Sequence, residues 1–181
     1  MLKAMIMAAL LLPGAGVARA EVVERHPDGF TLRMSAPVNA GWGQAFLAVG
    51  DVPHWWNANH TYSGDAANLS LPLEPGACFC ERLADGSAFE HGRVIAANAR
   101  HEVRLEAPLG PLKDRATQAA LTFGWNDTIG ADQVLTLTYI VEGDGLGAMA
   151  GPVDQVLTDQ FARWVAWAPS VHLTTRAPPS R

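Results

Sequence analysis

Residues 152–167 read Pro-Val-Asp-Gln-Val-Leu-Thr-Asp-Gln-Phe-Ala-Arg-Trp-Val-Ala-Trp. Apolar residues recur in this stretch at steps of three and four, which places them on one face of a helix: Val153, Val156, Leu157, Phe161, Trp164 and Val165. Pro152 suits the first turn of a helix, and Pro169 cannot continue one. The pattern predicts a long amphipathic helix near the C-terminus, with Asp154 and Arg163 complementing the charges of its two ends.

Upstream of this helix, the sequence predicts a series of β-strands. The first covers residues 29–38, where Phe30, Leu32 and Met34 alternate with other side chains. Turn signals rich in Gly, Pro, Asn and Asp separate six further predicted strands. These lie at residues 68–73, 77–83, 88–96, 102–106, 116–125 and 133–141.

Two short helices are predicted after the first strand. Asn39 can cap one that runs through Val49, and Asp51 can cap the next, which has Pro53 in its first turn. An amphipathic helix and a sheet with one apolar face both become buried when the helix lies across the sheet. The sequence therefore predicts an α+β fold, in which a curved antiparallel sheet of about seven strands wraps around the C-terminal helix. A gap beneath such a helix would be a place for a small molecule to bind.

Composition limits the classes of partner. The chain has 181 residues, of which 17% are charged, and its net charge is −5, which fits a single domain. The acidic balance argues against nucleic acid as a partner, because Lys and Arg supply most of the affinity for phosphates. The sequence has no P-loop, no G-x-S-x-G motif and no H-E-x-x-H motif, so no metal and no cofactor are predicted. It does not indicate a protein partner.

The N-terminal residues have the pattern of an export signal. Lys3 precedes an apolar run at residues 4–12, and Ala18-Arg19-Ala20 matches the small-x-small sequence before a cleavage site. A membrane-spanning helix needs about 20 apolar residues, so the run predicts no stable membrane anchor. We expect residues 1–20 to be a signal peptide cleaved after Ala20, and the protein to be periplasmic or secreted. The domain is then expected at residues 21–169, followed by a flexible tail at 170–181.

Cys78 and Cys80 are the two cysteines of the chain, and they lie within a predicted strand. Residues two apart on a strand share a face and lie about 6.5–7 Å apart, which is at the limit of what a disulfide can bridge. We expect two buried free thiols that behave as small apolar groups. A metal-binding or redox pair is the alternative.

The predicted hairpin around Asp85-Gly86 gives a register for its two strands. A two-residue turn at this position would place Glu81 opposite Glu90 and Cys80 opposite His91. The two glutamates would then share the more apolar face of the hairpin, which is the face that we expect to line the cavity.

Two carboxylates opposite each other in a half-buried cavity would raise at least one of their pKa values. Glu81 and Glu90 are therefore candidate catalytic residues, one as a general acid and the other as a base. The alternative is that the hairpin faces the other way, or that both carboxylates reach solvent at the strand ends.

Aromatic residues supply the candidate ligand contacts. Those after the second helix could line the mouth of a pocket or equally cap the end of the sheet. Those on the C-terminal helix could be core or could wall the cavity. The predicted ligand-binding residues are Trp55, Trp56, His60, Tyr62, Phe79, Val94, Phe123, Phe161 and Trp164.

Three parts of the sequence carry a resemblance to a known family. Residues 74–86, Glu-Pro-Gly-Ala-Cys-Phe-Cys-Glu-Arg-Leu-Ala-Asp-Gly, and the run that begins at Glu90 resemble the central strands of the START-like superfamily. Trp55-Trp56 resembles its early Trp-rich segment, and residues 133–139, Gln-Val-Leu-Thr-Leu-Thr-Tyr, resemble its last strand. This superfamily includes polyketide cyclases and Hsp90-ATPase-activator-like proteins.

The resemblance implies the helix-grip fold over residues 30–168, with an apolar cavity that binds lipids, polyketides or other hydrophobic molecules. An exported member departs from the cytosolic chaperone-partner role. We therefore expect an exported domain that binds a small hydrophobic molecule between the sheet and the C-terminal helix. The alternative is a cyclase- or lyase-type enzyme that uses Glu81 and Glu90.

Overall fold

A computed structural model of the chain describes residues 19–126 and 132–173. The strands in this part are β1 Arg19–His26, β2 Gly29–Asn39, β3 Leu69–Ser70, β4 Cys78–Arg82, β5 Ala88–Asn98, β6 Glu102–Glu106, β7 Gln118–Trp125 and β8 Asp132–Glu142. The α-helices are α1 Trp42–Gly50, α2 Val52–Trp55 and α3 Ala150–Trp167. The strands form a single antiparallel sheet in the order β1-β2-β8-β7-β6-β5-β4-β3. The predicted α+β helix-grip architecture is confirmed.

The core lies between α3 and the inner face of the sheet. Strand β2 buries every second residue, as its alternation predicts, and α3 buries Leu157, Phe161 and Trp164. The ring of Trp164 meets Phe123 of β7 edge to face, with 5.1 Å between centroids. Because burial of large aromatic side chains contributes about 25 cal/mol per Å² of apolar surface, these contacts hold the C-terminal half of α3 on the sheet.

The helix ends differ from the prediction in detail. α3 begins at Ala150, ahead of Pro152, so Asp154 falls outside its first turn and Arg163 outside its last turn. α1 is capped at Gly41, whose N–H donates to the Gln44 side chain at 3.0 Å. Asp51 holds the N-cap position of α2, as predicted, but its carboxylate contacts His54 and Trp167 and accepts no hydrogen bond from the helix backbone.

Strand β1 is an edge strand that the sequence pattern did not predict. Its consecutive valines, Val22 and Val23, are 40% and 50% exposed, so they lack the alternation by which a half-buried strand is recognised. Backbone pairing with β2 forms this strand. Of the predicted signal peptide, only Arg19 and Ala20 are among the described residues. Of the predicted tail at 170–181, residues 174–181 lie outside them.

The β4–β5 hairpin has a different register from the predicted one. Arg82 pairs with Ala88, and the Leu83 N–H donates to the Ser87 carbonyl at 2.8 Å, which leaves a three-residue loop at 84–86. Gly86, with φ of +84°, takes the left-handed conformation that this loop type requires. The extra loop residue shifts the pairing by one, so Glu81 lies opposite Phe89 and the predicted Glu81–Glu90 pair is wrong.

Phe79 pairs with Gly92, but the next residue, Cys80, pairs with Glu90, so the register shifts again between them. His91 is therefore an extra residue on β5, as in a β-bulge. It lies on the inner face, and the predicted pairing of Cys80 with His91 is wrong because Cys80 lies opposite Glu90.

The two cysteines are half-buried and joined in a disulfide, which corrects the prediction of buried free thiols. Their Cα atoms lie 5.3 Å apart, closer than the roughly 6.5 Å that two extended residues span. β4 is therefore contracted at Cys78–Cys80, directly opposite the strand that carries the extra residue. This contraction brings the sulfur atoms within bonding reach, which the assumption of an ideal strand excluded.

Candidate ligand-binding site

A cavity of about 510 Å³ lies between the N-terminal half of α3, the turn at Gly110–Leu112 and the segment that follows α2. This volume is within the range of small-molecule sites. Its wall is formed by Trp56, His60, Thr61, Tyr62, His91, Leu109, Gly110, Pro111, Leu112, Met149, Pro152, Val153, Val156 and Leu157.

The wall is mostly apolar, and its polar side chains are those of His60, Thr61, Tyr62 and His91, with the indole of Trp56. Among the residues that the structure describes, no Asp, Glu, Lys or Arg lines the cavity. The Thr61 hydroxyl already donates to the Ala58 carbonyl at 2.7 Å. Since an isolated charge in such surroundings is costly, the cavity favours a neutral, largely apolar occupant.

His91 is the most buried polar side chain of this wall, at 4% exposure. Three aromatic rings surround its imidazole: the centroid distances are 5.0 Å to Phe79, 5.0 Å to Phe89 and 5.7 Å to Tyr62. The register set by the three-residue loop therefore places this imidazole in a mostly hydrophobic surface.

Glu81 lies behind His91 and is fully buried. Its Oε2 accepts hydrogen bonds from Nε2 of His91 at 2.8 Å and from the backbone N–H of Tyr62 at 3.0 Å. Its Oε1 accepts from the backbone N–H of Ser63. The carboxylate thus joins strand β4 to both the imidazole and the segment that carries Tyr62.

The electrostatics of the pair follow from burial and these hydrogen bonds. Burial raises the pKa of the Glu81 carboxyl, but hydrogen bonds from Ser63, Tyr62 and His91 outweigh burial and leave that pKa below its ordinary value. Burial lowers the pKa of His91, and the Lys113 charge lowers it further, while Glu81 opposes both effects only in part. At neutral pH the pair is therefore an ionised carboxylate and a neutral imidazole.

Tyr139 holds the turn that forms another part of the wall. Its buried hydroxyl donates to the Ala107 carbonyl at 2.7 Å and accepts from the Leu109 N–H at 3.2 Å. Burial raises the pKa of this phenol, so the hydroxyl stays protonated. The contact fixes the backbone just before Gly110–Leu112 against β8.

A second set of hydrogen bonds ties the Trp56 segment to α3. The Asn57 N–H donates to the buried Gln160 side chain at 2.9 Å, and the Asn57 amide donates to Asp159 at 2.7 Å. The hydrogen bond from Asn57 and the contact with Arg163 hold the pKa of Asp159 below its usual range, although partial burial acts in the opposite direction. The Trp56 indole donates to the His60 carbonyl at 3.1 Å. These bonds fix the side of the cavity that faces the helix.

The structure separates the predicted ligand-binding residues into two groups. Trp56, His60 and Tyr62 line the cavity. The other six are buried and lie outside its wall: Trp55, Phe79, Val94, Phe123, Phe161 and Trp164. These side chains form the core that closes the rest of the space beneath α3.

Glu90, the second predicted catalytic residue, points away from the cavity. It lies opposite Cys80 on the outer face, and its half-exposed carboxylate pairs with Arg93. The register correction explains this position, since a shift of one residue moves a side chain to the other face. Glu81 faces inward as expected, but its partner is His91.

Sequence reasoning missed several wall residues. His91 was assigned to the outer face because the predicted two-residue turn is one residue too short, which moves the residues of β5 before the bulge to the wrong face. Leu109, Pro111 and Leu112 lie in a predicted turn and had no periodic signal. Val153, Val156 and Leu157 belong to the predicted apolar stripe, and the part of that stripe nearest the N-terminus of α3 lines the cavity.

Within residues 19–126 and 132–173, no group of three His, Cys, Asp or Glu side chains is placed to hold a metal ion. No helix in the same ranges is long and apolar enough to cross a membrane.

Comparison with known proteins supports the fold. No family model matches the chain, and no curated protein matches it. A conserved protein of unknown function from Enterococcus faecalis is 8% identical, with a TM-score of 0.58 over 91% of this chain and 80% of that chain. A protein from Mesorhizobium loti is 12% identical, with a TM-score of 0.57 over 79% of this chain and 99% of that one.

An uncharacterised protein from Rhizobium leguminosarum is 17% identical, with a TM-score of 0.54 over 86% of this chain and 99% of that chain. At these identities, the likeness supports a shared fold alone.

Proposed function

We propose that this chain is an exported START-like domain that binds a small, neutral, hydrophobic molecule in the cavity beneath the N-terminal half of α3. The observation that carries the proposal is the combination of volume and chemistry: about 510 Å³ of space whose described wall has no formally charged residue. The export part of the proposal rests on the signal pattern of residues 1–20.

The geometry supports reversible binding because several contacts fix the wall. Glu81 binds the backbone of Tyr62 and Ser63, while Tyr139 binds that of Leu109. Gln160 binds the backbone of Asn57. A site fixed before its ligand arrives loses less conformational entropy on binding.

Native mass spectrometry of protein purified from its own host tests the proposal. We expect a retained apolar molecule, and a rise in melting temperature when a panel of neutral apolar compounds is added. Val156→Trp should fill the cavity and reduce binding by at least about tenfold, since Val156 lines it. Ala166→Trp is the matched control, because Ala166 lies on the same helix but is exposed. Empty protein that no compound stabilises, or equal binding by both variants, would contradict the proposal.

A second candidate function is proton transfer to or from the bound molecule. The Glu81–His91 pair favours it, because an imidazole oriented by a buried carboxylate is the usual arrangement of a general base. In this role, His91 would take a proton from the ligand, and Glu81 would stabilise the resulting imidazolium. Incubation of the protein with the host-derived molecule tests this, with His91→Gln as the variant. A change in the mass of the ligand or exchange of its hydrogens that His91→Gln abolishes is the expected result, and no change would exclude catalysis.

A further inference from the structure

We infer that the ligand carries a hydroxyl group and donates it in a hydrogen bond to Nδ1 of His91. This inference rests on the proposed binding function and adds the chemical class of the ligand: a neutral, mostly apolar molecule with one hydroxyl at its His91 end. Two observations support the inference: the geometry of the Glu81–His91 pair, and the lack of a described donor to Nδ1 of His91.

The partner of Nε2 fixes the role of Nδ1. A carboxylate accepts hydrogen bonds and donates none, so the nitrogen that contacts Glu81 at 2.8 Å carries the proton. In a neutral imidazole the other nitrogen then has a free lone pair. Nδ1 of His91 is therefore an acceptor, in a side chain that is 4% exposed and lines the cavity.

The described surroundings offer this acceptor no donor. The groups packed against the imidazole are the rings of Phe79, Phe89 and Tyr62. The charge of Lys113 acts on His91, but its ammonium lies over the Phe89 ring and donates to the Glu90 carbonyl. An acceptor in a mostly apolar wall gains a hydrogen bond from a ligand that can donate, so such a ligand gains affinity over one of similar shape that cannot.

The same wall selects against charged ligands. A carboxylate at the His91 end would place its oxygen lone pairs against the lone pair of Nδ1, and no described Lys or Arg lines the cavity to compensate its charge. An ether of the same shape fills the space but has no hydrogen to donate. A hydroxyl meets both requirements.

Three naphthalene probes of similar size separate these possibilities: 2-naphthol, 2-methoxynaphthalene and 2-naphthoate. We expect wild-type protein near neutral pH to bind 2-naphthol at least about tenfold more tightly than the other two in equilibrium dialysis. His91→Phe should remove this preference while it still binds 2-methoxynaphthalene. His60→Phe is the matched control, because His60 also lines the cavity but is exposed, and it should keep the preference.

Equal binding of 2-naphthol and 2-methoxynaphthalene by the wild type, or a preference that survives in His91→Phe, would overturn the inference and leave the binding function intact. If none of the three probes binds, the binding function fails and the inference fails with it.

A nitrogen NMR measurement on the wild type does not depend on the stability of the variant. 2-Naphthol should shift the Nδ1 resonance of His91, and 2-methoxynaphthalene should not. The same response to both probes would overturn the inference.

Discussion

Nε2 of His91 lies 2.8 Å from Oε2 of Glu81, and both side chains are buried although they are not opposite each other in the β4–β5 ladder. The three-residue loop at 84–86 sets this face: it places Phe89 opposite Glu81, and His91, two residues further on, lies on the same side of β5. One carboxylate therefore supports both the backbone of the Tyr62 segment and the polar group of the cavity.

Glu81→Gln should destabilise the protein, whereas Glu90→Gln should not. The Glu81 carboxylate accepts from three N–H groups, and an amide has one oxygen, so at least one buried donor would face an NH₂ group. We expect a loss of about 1–3 kcal/mol in the free energy of unfolding, measured with urea.

Glu90→Gln is the control, because the Glu90 carboxylate is half-exposed and pairs with Arg93 at the surface. Its effect should stay within about 0.5 kcal/mol. An equal loss of unfolding free energy in the two variants would contradict the buried, hydrogen-bonded position of Glu81.

Stability should fall as the pH drops below 6.5. Burial keeps the pKa of His91 in the folded state below its ordinary value of 6.5, so protonation near that pH favours the unfolded chain. The contribution of His91 is fully present above pH 6.5 and is lost as the pH falls towards the folded pKa. Glu81 adds a second loss below its ordinary pKa of 4.5, since its folded pKa is also lowered.

His91→Gln removes the titrating group but can keep a donor towards Glu81. Unfolding measured at a series of pH values should therefore show a weaker pH dependence in this variant just below pH 6.5. The slope for one proton does not exceed about 1.4 kcal/mol per pH unit. An unchanged slope would show that His91 is not the group responsible.

Tyr139→Phe should loosen the turn at Gly110–Leu112. The variant leaves the Leu109 N–H and the Ala107 carbonyl without the phenol, at an expected cost of about 1–3 kcal/mol. Hydrogen exchange at the Leu109 amide should become faster. Tyr62→Phe is the control, because Tyr62 is 54% exposed and removal of its hydroxyl should leave stability nearly unchanged. No change at the Leu109 amide would contradict the role of Tyr139.

The Cys78–Cys80 disulfide gives a direct chemical prediction. Protein that is denatured without a reductant should not be modified by a thiol-alkylating reagent. Its mass should be two hydrogen atoms lower than that of the reduced protein. Joint replacement by serine should cost about 1–2 kcal/mol, because the closed loop is very short. Alkylation of both cysteines before reduction would contradict the disulfide.

The sequence was sufficient for elements whose signals are local. The alternation in β2, the boundaries of β6 and the apolar stripe of α3 each depend on residues within a few positions of one another. Burial of that stripe against a sheet then follows, and this is why the helix-grip architecture could be predicted.

The site depended on features that are not local. A Gly at position 86 can close a two-residue or a three-residue loop, and the choice moves Glu90 and His91 between faces. The bulge at His91 depends on pairing with the contracted strand across from it. The turn at Gly110–Leu112 is fixed by Tyr139, which is distant in sequence. None of these contacts leaves a periodic pattern.

A crystal structure of the protein with 2-naphthol tests the central claim most directly. We predict that the naphthalene rings lie among Val153, Val156 and Leu157, with the hydroxyl oxygen about 3 Å from Nδ1 of His91. A cavity closed by its own side chains, with 2-naphthol bound elsewhere or not at all, would contradict the claim.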